Sequence, residues 1–246
     1  MSSTRFWITR WTRFARFGIL LLSFVLLSSG ILKPALAQDA LSNPGDHDVE
    51  ITVGTLKRAF ILHVPTGYNG SMAVPLVVML HGHGGTAKGI SKVGWSEEAD
   101  SNTFLVAYPQ AERAKPNLPV GPGNPPTWND GSNRAGIPQV DDISFLRALL
   151  SKIATYLKVN KQRIYLAGFS NGAAMTFHAG IAMSDQVAAI GMTAGAFFER
   201  ADPTLKLAHP MPLIYMIGTS DNLNPLAGGS ARDAITGQIV TSTQPV

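Results

Sequence analysis

Residues 164–172 read Ile164-Tyr165-Leu166-Ala167-Gly168-Phe169-Ser170-Asn171-Gly172, and a stretch of small residues runs on from Ala173 to Met183. An apolar run, a serine set between glycines and a helical segment together make a nucleophile elbow. The glycines let the chain turn sharply from strand to helix, so the hydroxyl stands exposed at a sheet edge while the next peptide N–H faces a developing oxyanion. Glycine and serine are abundant in loops, so the motif alone is weak; the strand before it and the helix after it give it meaning. Ser170 is the candidate nucleophile.

Outward from the elbow, short apolar runs alternate with helical patterns. Glu50–Gly54, Arg58–Val64, Leu76–His81, Phe104–Pro109, Arg163–Gly168, Ala188–Ala194 and Leu213–Gly218 read as strands. Val140 to Lys158 is the clearest helix: Ile143, Leu146, Leu149 or Leu150, Ile153 and Leu157 recur at steps of three and four, and Asp141 is placed to cap the start. Leu76-Val77-Val78-Met79-Leu80 is apolar throughout, as expected of a strand buried on both faces in a mostly parallel sheet covered by helices. The predicted architecture is one α/β domain.

Upstream, His81-Gly82-His83-Gly84-Gly85 directly follows the strand that ends at Leu80. At an elbow of this kind one oxyanion donor comes from the loop after the upstream strand and the other from the residue after the nucleophile. This assigns the hole to the backbone N–H groups of His83 and Asn171. A His81-x-His83 metal pair is the competing reading, and it lacks a carboxylate or third histidine at ligand spacing; no metal and no cofactor are expected. Downstream, Leu213–Ile217 ends in Gly218-Thr219-Ser220-Asp221, so Asp221 stands at the carboxyl end of the next strand but one, where an acid orienting a catalytic histidine belongs. Asp202 and Asp185 are weaker candidates, since neither directly follows a strand.

Ala114 to Gln139 breaks the rhythm with six prolines and four glycines. A long loop at the carboxyl end of a strand is a place for a ligand crevice. Its tryptophan, Trp128, has two readings at this point: a substrate-binding aromatic that stacks on a sugar or phenolic ring, or a pin that holds the loop to the core.

The N-terminus reads as an export signal. Arg5, Arg10, Arg13 and Arg16 precede the uncharged stretch Phe17 to Leu32, and Ala35-Leu36-Ala37 supplies a small-x-small cleavage site, so residues 1–37 are expected to leave a mature domain of residues 38–246. An uncleaved anchor is the alternative, and the 16 uncharged residues fall short of the ~20 that a membrane span needs. The whole chain carries a formal net charge of +4. The leader holds five of the 20 basic residues and none of the 16 acidic ones, so the remainder is close to neutral and no nucleic-acid partner is expected. There is no cysteine, which excludes disulfides, a thiol nucleophile and a lipoprotein anchor.

These segments in this order, with Gly94-Trp95-Ser96, Phe104–Gln110, Trp128-Asn129-Asp130-Gly131, Val140–Leu146 and Arg163-Ile164-Tyr165 between them, resemble the secreted polyhydroxybutyrate depolymerase and feruloyl esterase group of α/β-hydrolases. The resemblance covers nearly the whole chain after the leader. It implies a secreted (extracellular or periplasmic) serine esterase that needs no cofactor and keeps no stable membrane association. Its substrate would be a small ester, a polyester or a feruloylated polysaccharide.

One departure stands out. The group supplies its catalytic histidine after the acid, and no histidine occurs between Asp221 and Val246. His209 lies ahead of the strand leading to Asp221, which puts it some 20 Å away at the opposite end of the sheet, and His178 lies about 12 Å along the helix from Ser170. His81 and His83 sit on the oxyanion side, and His47 and His63 belong to the early strands. The tail from Asn222 reads as loop, without the strand and final helix expected there. The reading is therefore a C-terminally truncated esterase with an exposed sheet edge; its alternative is a pseudo-hydrolase with only ligand binding or residual activity.

Overall fold

Strand β3 (Val74–Leu80) sits at the centre because nearly every side chain on it is apolar and buried, which only a sheet covered on both faces provides. Leu76, Val78 and Leu80 enter one core with Phe145, Leu146, Leu149 and Ile153, while Met79 enters a second core with Ala87, Ala99, Val106 and Tyr108 on the other face. The computed structural model describes residues 41–113, 115, 123–132, 137–197, 204, 206–232 and 239–243, all within the unit Pro34–Val246. The leader expected at residues 1–37, Asp202 and part of the proline-rich loop lie outside the described residues.

Around β3 the order along the chain is β1 (Gly45–Val53), β2 (Leu56–Val64), β3, α1 (Ala87–Ile90), α2 (Trp95–Asn102), β4 (Leu105–Pro109), α3 (Asp142–Tyr156), β5 (Val159–Phe169), α4 (Asn171–Ala182), β6 (Ala189–Thr193) and β7 (Leu213–Met216). The seven strands form one sheet in the order β1-β2-β4-β3-β5-β6-β7. β1 and β2 form a hairpin, β2 runs antiparallel to β4, and every pair from β4 to β7 is parallel. Helices α3 and α4 pack on one face and α1 and α2 on the other, which is the α/β-hydrolase arrangement expected from the sequence. Asp141 caps α3, its Oδ1 accepting from Ser144 N at 2.8 Å, and Phe145, Leu146, Leu149, Leu150 and Ile153 make the buried stripe.

One expectation is corrected. The tail is not all loop: β8 (Gly229–Arg232) pairs antiparallel with β9 (Ile239–Thr243), because the β-branched run Ile239-Val240-Thr241 favours extended chain. This pair forms its own sheet, so among the described residues β7 is the last strand of the main sheet, with Leu213, Ile214 and Met216 exposed. The proline-rich segment turns inward. Asn124, Thr127, Trp128, Asp130 and Ile137 are all buried.

Candidate active site

The elbow is strained by design of its neighbours. Ser170 sits at φ 56° and ψ −122°, a backbone region that costs a non-glycine residue about 1–3 kcal/mol. What holds it there is close packing of α4 onto the ends of β3 and β5. A Cβ on Gly172 would lie 2.4 Å from the carbonyl oxygens of both Leu80 and His81, and one on Gly168 would lie 2.3 Å from the Gly172 oxygen. Only glycine fits at either place, which is the physical content of the Gly-x-Ser-x-Gly spacing. Ser170 N donates to Thr193 O at 2.9 Å, and Ser170 O accepts from Ala173 N and Ala174 N at 2.9 and 3.1 Å, opening the helix. The serine side chain is left out of the helix cap and half-buried.

The glycine loop after β3 runs beside the serine: a Cβ on Gly82 would stand 3.2 Å from Ser170 Cβ. This brings His83 and Asn171, the two expected oxyanion residues, to the same edge of the sheet as Ser170. His81 is buried beneath them. Its Nε2 accepts from Ala111 N at 3.1 Å, which leaves Nδ1 to donate to Gly82 O at 2.8 Å. Burial pushes its pKa down to about 4, so it is a neutral structural histidine whose acceptor nitrogen is already engaged.

Asp221 lies in the turn after β7. Its Oδ1 accepts from Leu223 N (2.8 Å) and Asn224 N (2.9 Å), and Asn224 Nδ2 donates to Ala194 O (2.9 Å), tying the turn to the chain that leaves β6. β7 is two strands from β5, or roughly 10 Å at ~4.8 Å per strand. Ser170 and Asp221 thus share an edge of the sheet without touching. Burial, followed by the charge of Asp221, raises the pKa of Tyr215, whose hydroxyl donates to Gly195 O at 2.6 Å.

Among the described residues no imidazole hydrogen-bonds to Ser170 or Asp221. His63 is held between Asp46 (2.7 Å) and Asp100 (3.5 Å). His47 contacts Asn43 O, and His209, exposed ahead of β7, contacts Pro210 O. Asp185, a weaker acid candidate, is taken up by Arg147 at 2.8 Å on the surface. No group of three or more acidic or histidine side chains fit to hold a metal ion is found among the described residues.

Trp128 requires a correction. It is 0 % exposed, its Nε1 donates to His81 O at 2.8 Å, and its ring lies 5.2 Å from that of His81. The ring has no face to offer a substrate; it pins the loop. Sequence reasoning also missed what surrounds it. The Asn171 side chain is buried and bonded to Trp128 N (2.8 Å), Trp128 O (3.3 Å) and Asp130 Oδ2 (2.8 Å). Asp142, at the start of α3, accepts from Arg58 Nη2 (2.6 Å) and Asn129 N (2.8 Å). Partners so distant in sequence leave no local periodicity; the compact Trp-Asn-Asp-Gly run was the one signal.

The phospholipase/carboxylesterase family matches residues 68–243, and the chain belongs to this family of ester hydrolases. Its relatives include feruloyl esterase B of Piromyces equi, 29 % identical over 190 residues that make up 75 % of this chain and 33 % of that protein. Another is the putative esterase NocK of Nocardia uniformis subsp. tsuyamanensis, 26 % identical over 191 residues, 76 % of this chain and 52 % of that protein. The chain therefore spans a third to about half the length of these curated relatives. Among solved structures, native sOPH shares the fold with a TM-score of 0.58 at 21 % identity, covering 74 % of this chain and 69 % of that one.

Proposed function

We propose that the chain is a serine carboxylic-ester hydrolase acting through an acyl-enzyme, with Ser170 as nucleophile, the N–H groups of His83 and Asn171 as oxyanion hole, and Asp221 as the acid of the triad. The observation that carries it is the strained φ of Ser170, imposed by two glycines that nothing larger can replace. Strain held by such packing accumulates where a side chain must be presented for chemistry. Family membership supports the reaction type.

In this mechanism Ser170 Oγ attacks the ester carbonyl and loses its proton to an imidazole that Asp221 orients. The two N–H groups hold the oxyanion, the alcohol departs with the proton, and water hydrolyses the acyl-enzyme. Among the described residues no histidine hydrogen-bonds to Ser170 or Asp221, so free imidazole takes that part in the test. Substrates are short acyl or hydroxyacyl esters, polyester, or feruloyl groups on plant polysaccharide; the name of the Piromyces relative supports the last. Residues 1–37 are proposed as an export leader and residues 38–246 as the esterase domain. No helix among the described residues is long and apolar enough to cross a membrane.

The experiment is hydrolysis of p-nitrophenyl butyrate and methyl ferulate with rising imidazole, alongside labelling by a fluorophosphonate. Imidazole-dependent turnover and a single label are expected, both lost in Ser170→Ala, while Asp221→Asn, which still accepts its two backbone bonds, lowers the imidazole effect about tenfold or more. Label absent from Ser170, with ligand binding retained, would instead establish a non-catalytic binding protein.

A further inference from the structure

The two halves of the oxyanion hole come from different elements, the loop after β3 and the first residue of α4, yet a donor pair works only if its spacing is fixed beforehand. One residue touches both. Thr127 is fully buried, and its Oγ1 contacts His83 Nδ1 on one side and Asn171 Oδ1, at 3.4 Å, on the other. The backbone around it belongs to the same strut: Gly84 N donates to Pro126 O at 2.8 Å, Thr127 N to Glu112 O at 2.8 Å and Trp128 N to Asn171 Oδ1 at 2.8 Å.

The protons can be counted. The Asp130 carboxylate accepts from Asn171 Nδ2 at 2.8 Å, which fixes which end of the Asn171 amide is nitrogen and leaves Oδ1 as an acceptor facing Thr127. A hydroxyl has one proton. If it goes to Asn171 Oδ1, the same oxygen must accept from His83, so His83 carries its proton on Nδ1. The opposite orientation would set two acceptor oxygens against each other.

We propose that Thr127 is the positioning residue of the oxyanion hole: its single hydroxyl links His83 to Asn171, sets the spacing of their backbone N–H groups and fixes His83 as the Nδ1–H tautomer. Thr127 does not touch the reacting atoms. The inference rests on the esterase reading for its catalytic consequence and on the hydrogen-bond arithmetic for the tautomer, so the two are measured separately.

The first arm compares Thr127→Val with Thr127→Ser in imidazole-supported ester hydrolysis and in the rate of Ser170 labelling. Loss of an oxyanion donor outright costs about 10²–10³ in rate. Displacement of the pair in Thr127→Val should lower kcat and the labelling rate about tenfold, with KM within about twofold, and Thr127→Ser, which keeps the hydroxyl, should recover most of it. The second arm reads the ¹⁵N shifts of His83 in the wild-type chain, assigned with His83→Gln; Nδ1–H is expected, and its signal should move in Thr127→Val. A merely structural threonine would move neither the kcat-against-KM split nor the tautomer. Full rate in Thr127→Val, or equal loss in both variants, overturns the proposal, as does an Nε2–H tautomer in the wild type, which needs no variant to fold. A wild-type Ser170 that neither labels nor turns over ester overturns the esterase reading and Thr127's catalytic role together, an outcome distinct from a reactive serine indifferent to Thr127.

Discussion

Replacing Trp128 by alanine separates the two roles its position in the sequence allows. The side chain is 0 % exposed, so the substitution removes a full indole from the core together with its bond to His81 O. A buried tryptophan takes about 150–250 Å² out of water, worth ~4–6 kcal/mol at ~25 cal/mol per Å² as an upper bound. The range measured for large aromatic truncations is about 3–5 kcal/mol, cavity included. For a domain of this size about 4 kcal/mol lowers Tm by roughly 8–16 °C. Urea unfolding followed by circular dichroism, with thermal melts, gives the number. Trp128→Phe should cost less, about 1–3 kcal/mol, since it keeps most of the apolar volume but leaves His81 O without its donor. A Trp128→Ala chain that melts within about 2 °C of wild type, and whose only defect is a raised KM for feruloyl esters, would refute the buried geometry and restore the stacking role.

Three further outcomes are expected. Asp142→Leu leaves the Arg58 guanidinium, 2 % exposed and 4.0 Å from the Phe145 ring, without its carboxylate, and should cost about 3–5 kcal/mol; Arg58→Met with Asp142→Leu should recover at least half, and a denaturant double-mutant cycle decides it. Burial lowers His81 to about 4 from an ordinary value of 6.5, so between those values the unfolded chain binds a proton that the folded one excludes. That contribution is complete above about pH 6.5 and is lost as pH falls toward 4, up to about 3 kcal/mol at ~1.4 kcal/mol per pH unit; His81→Asn should flatten this slope in denaturant titrations across the window. Ile214, 68 % exposed on β7, should promote self-association along that edge, and Ile214→Lys should reduce it in sedimentation velocity while moving stability by no more than about 0.5 kcal/mol.

Much of the fold was legible because it rests on short-range pattern. All seven strands of the main sheet were found, with ends off by a few residues: β1 begins at Gly45 rather than Glu50, and β5 at Val159 rather than Arg163, since pairing with a neighbour extends a strand past its apolar centre. The short helices α1 and α2 were not seen, having too few turns to show a period. The β8–β9 pair was read as loop because its glycine and threonine content looked like a linker. At the site, Ser170, His83, Asn171 and Asp221 were chosen by their places after strands, and the structure puts all four along one edge of the sheet.

The sequence by itself determined the seven strands of the main sheet, the helix that follows Asp141, the glycine-flanked elbow and the family, because each is written in periodicity or in residues adjacent along the chain. Tertiary structure alone decided that Trp128 is a pin and that Thr127 bridges His83 and Asn171 across 44 residues on either side. It alone joined Arg58 to Asp142, 84 residues apart, beneath the same loop. A hydrogen bond reads distance in space, and a fold brings together groups that no window of sequence contains.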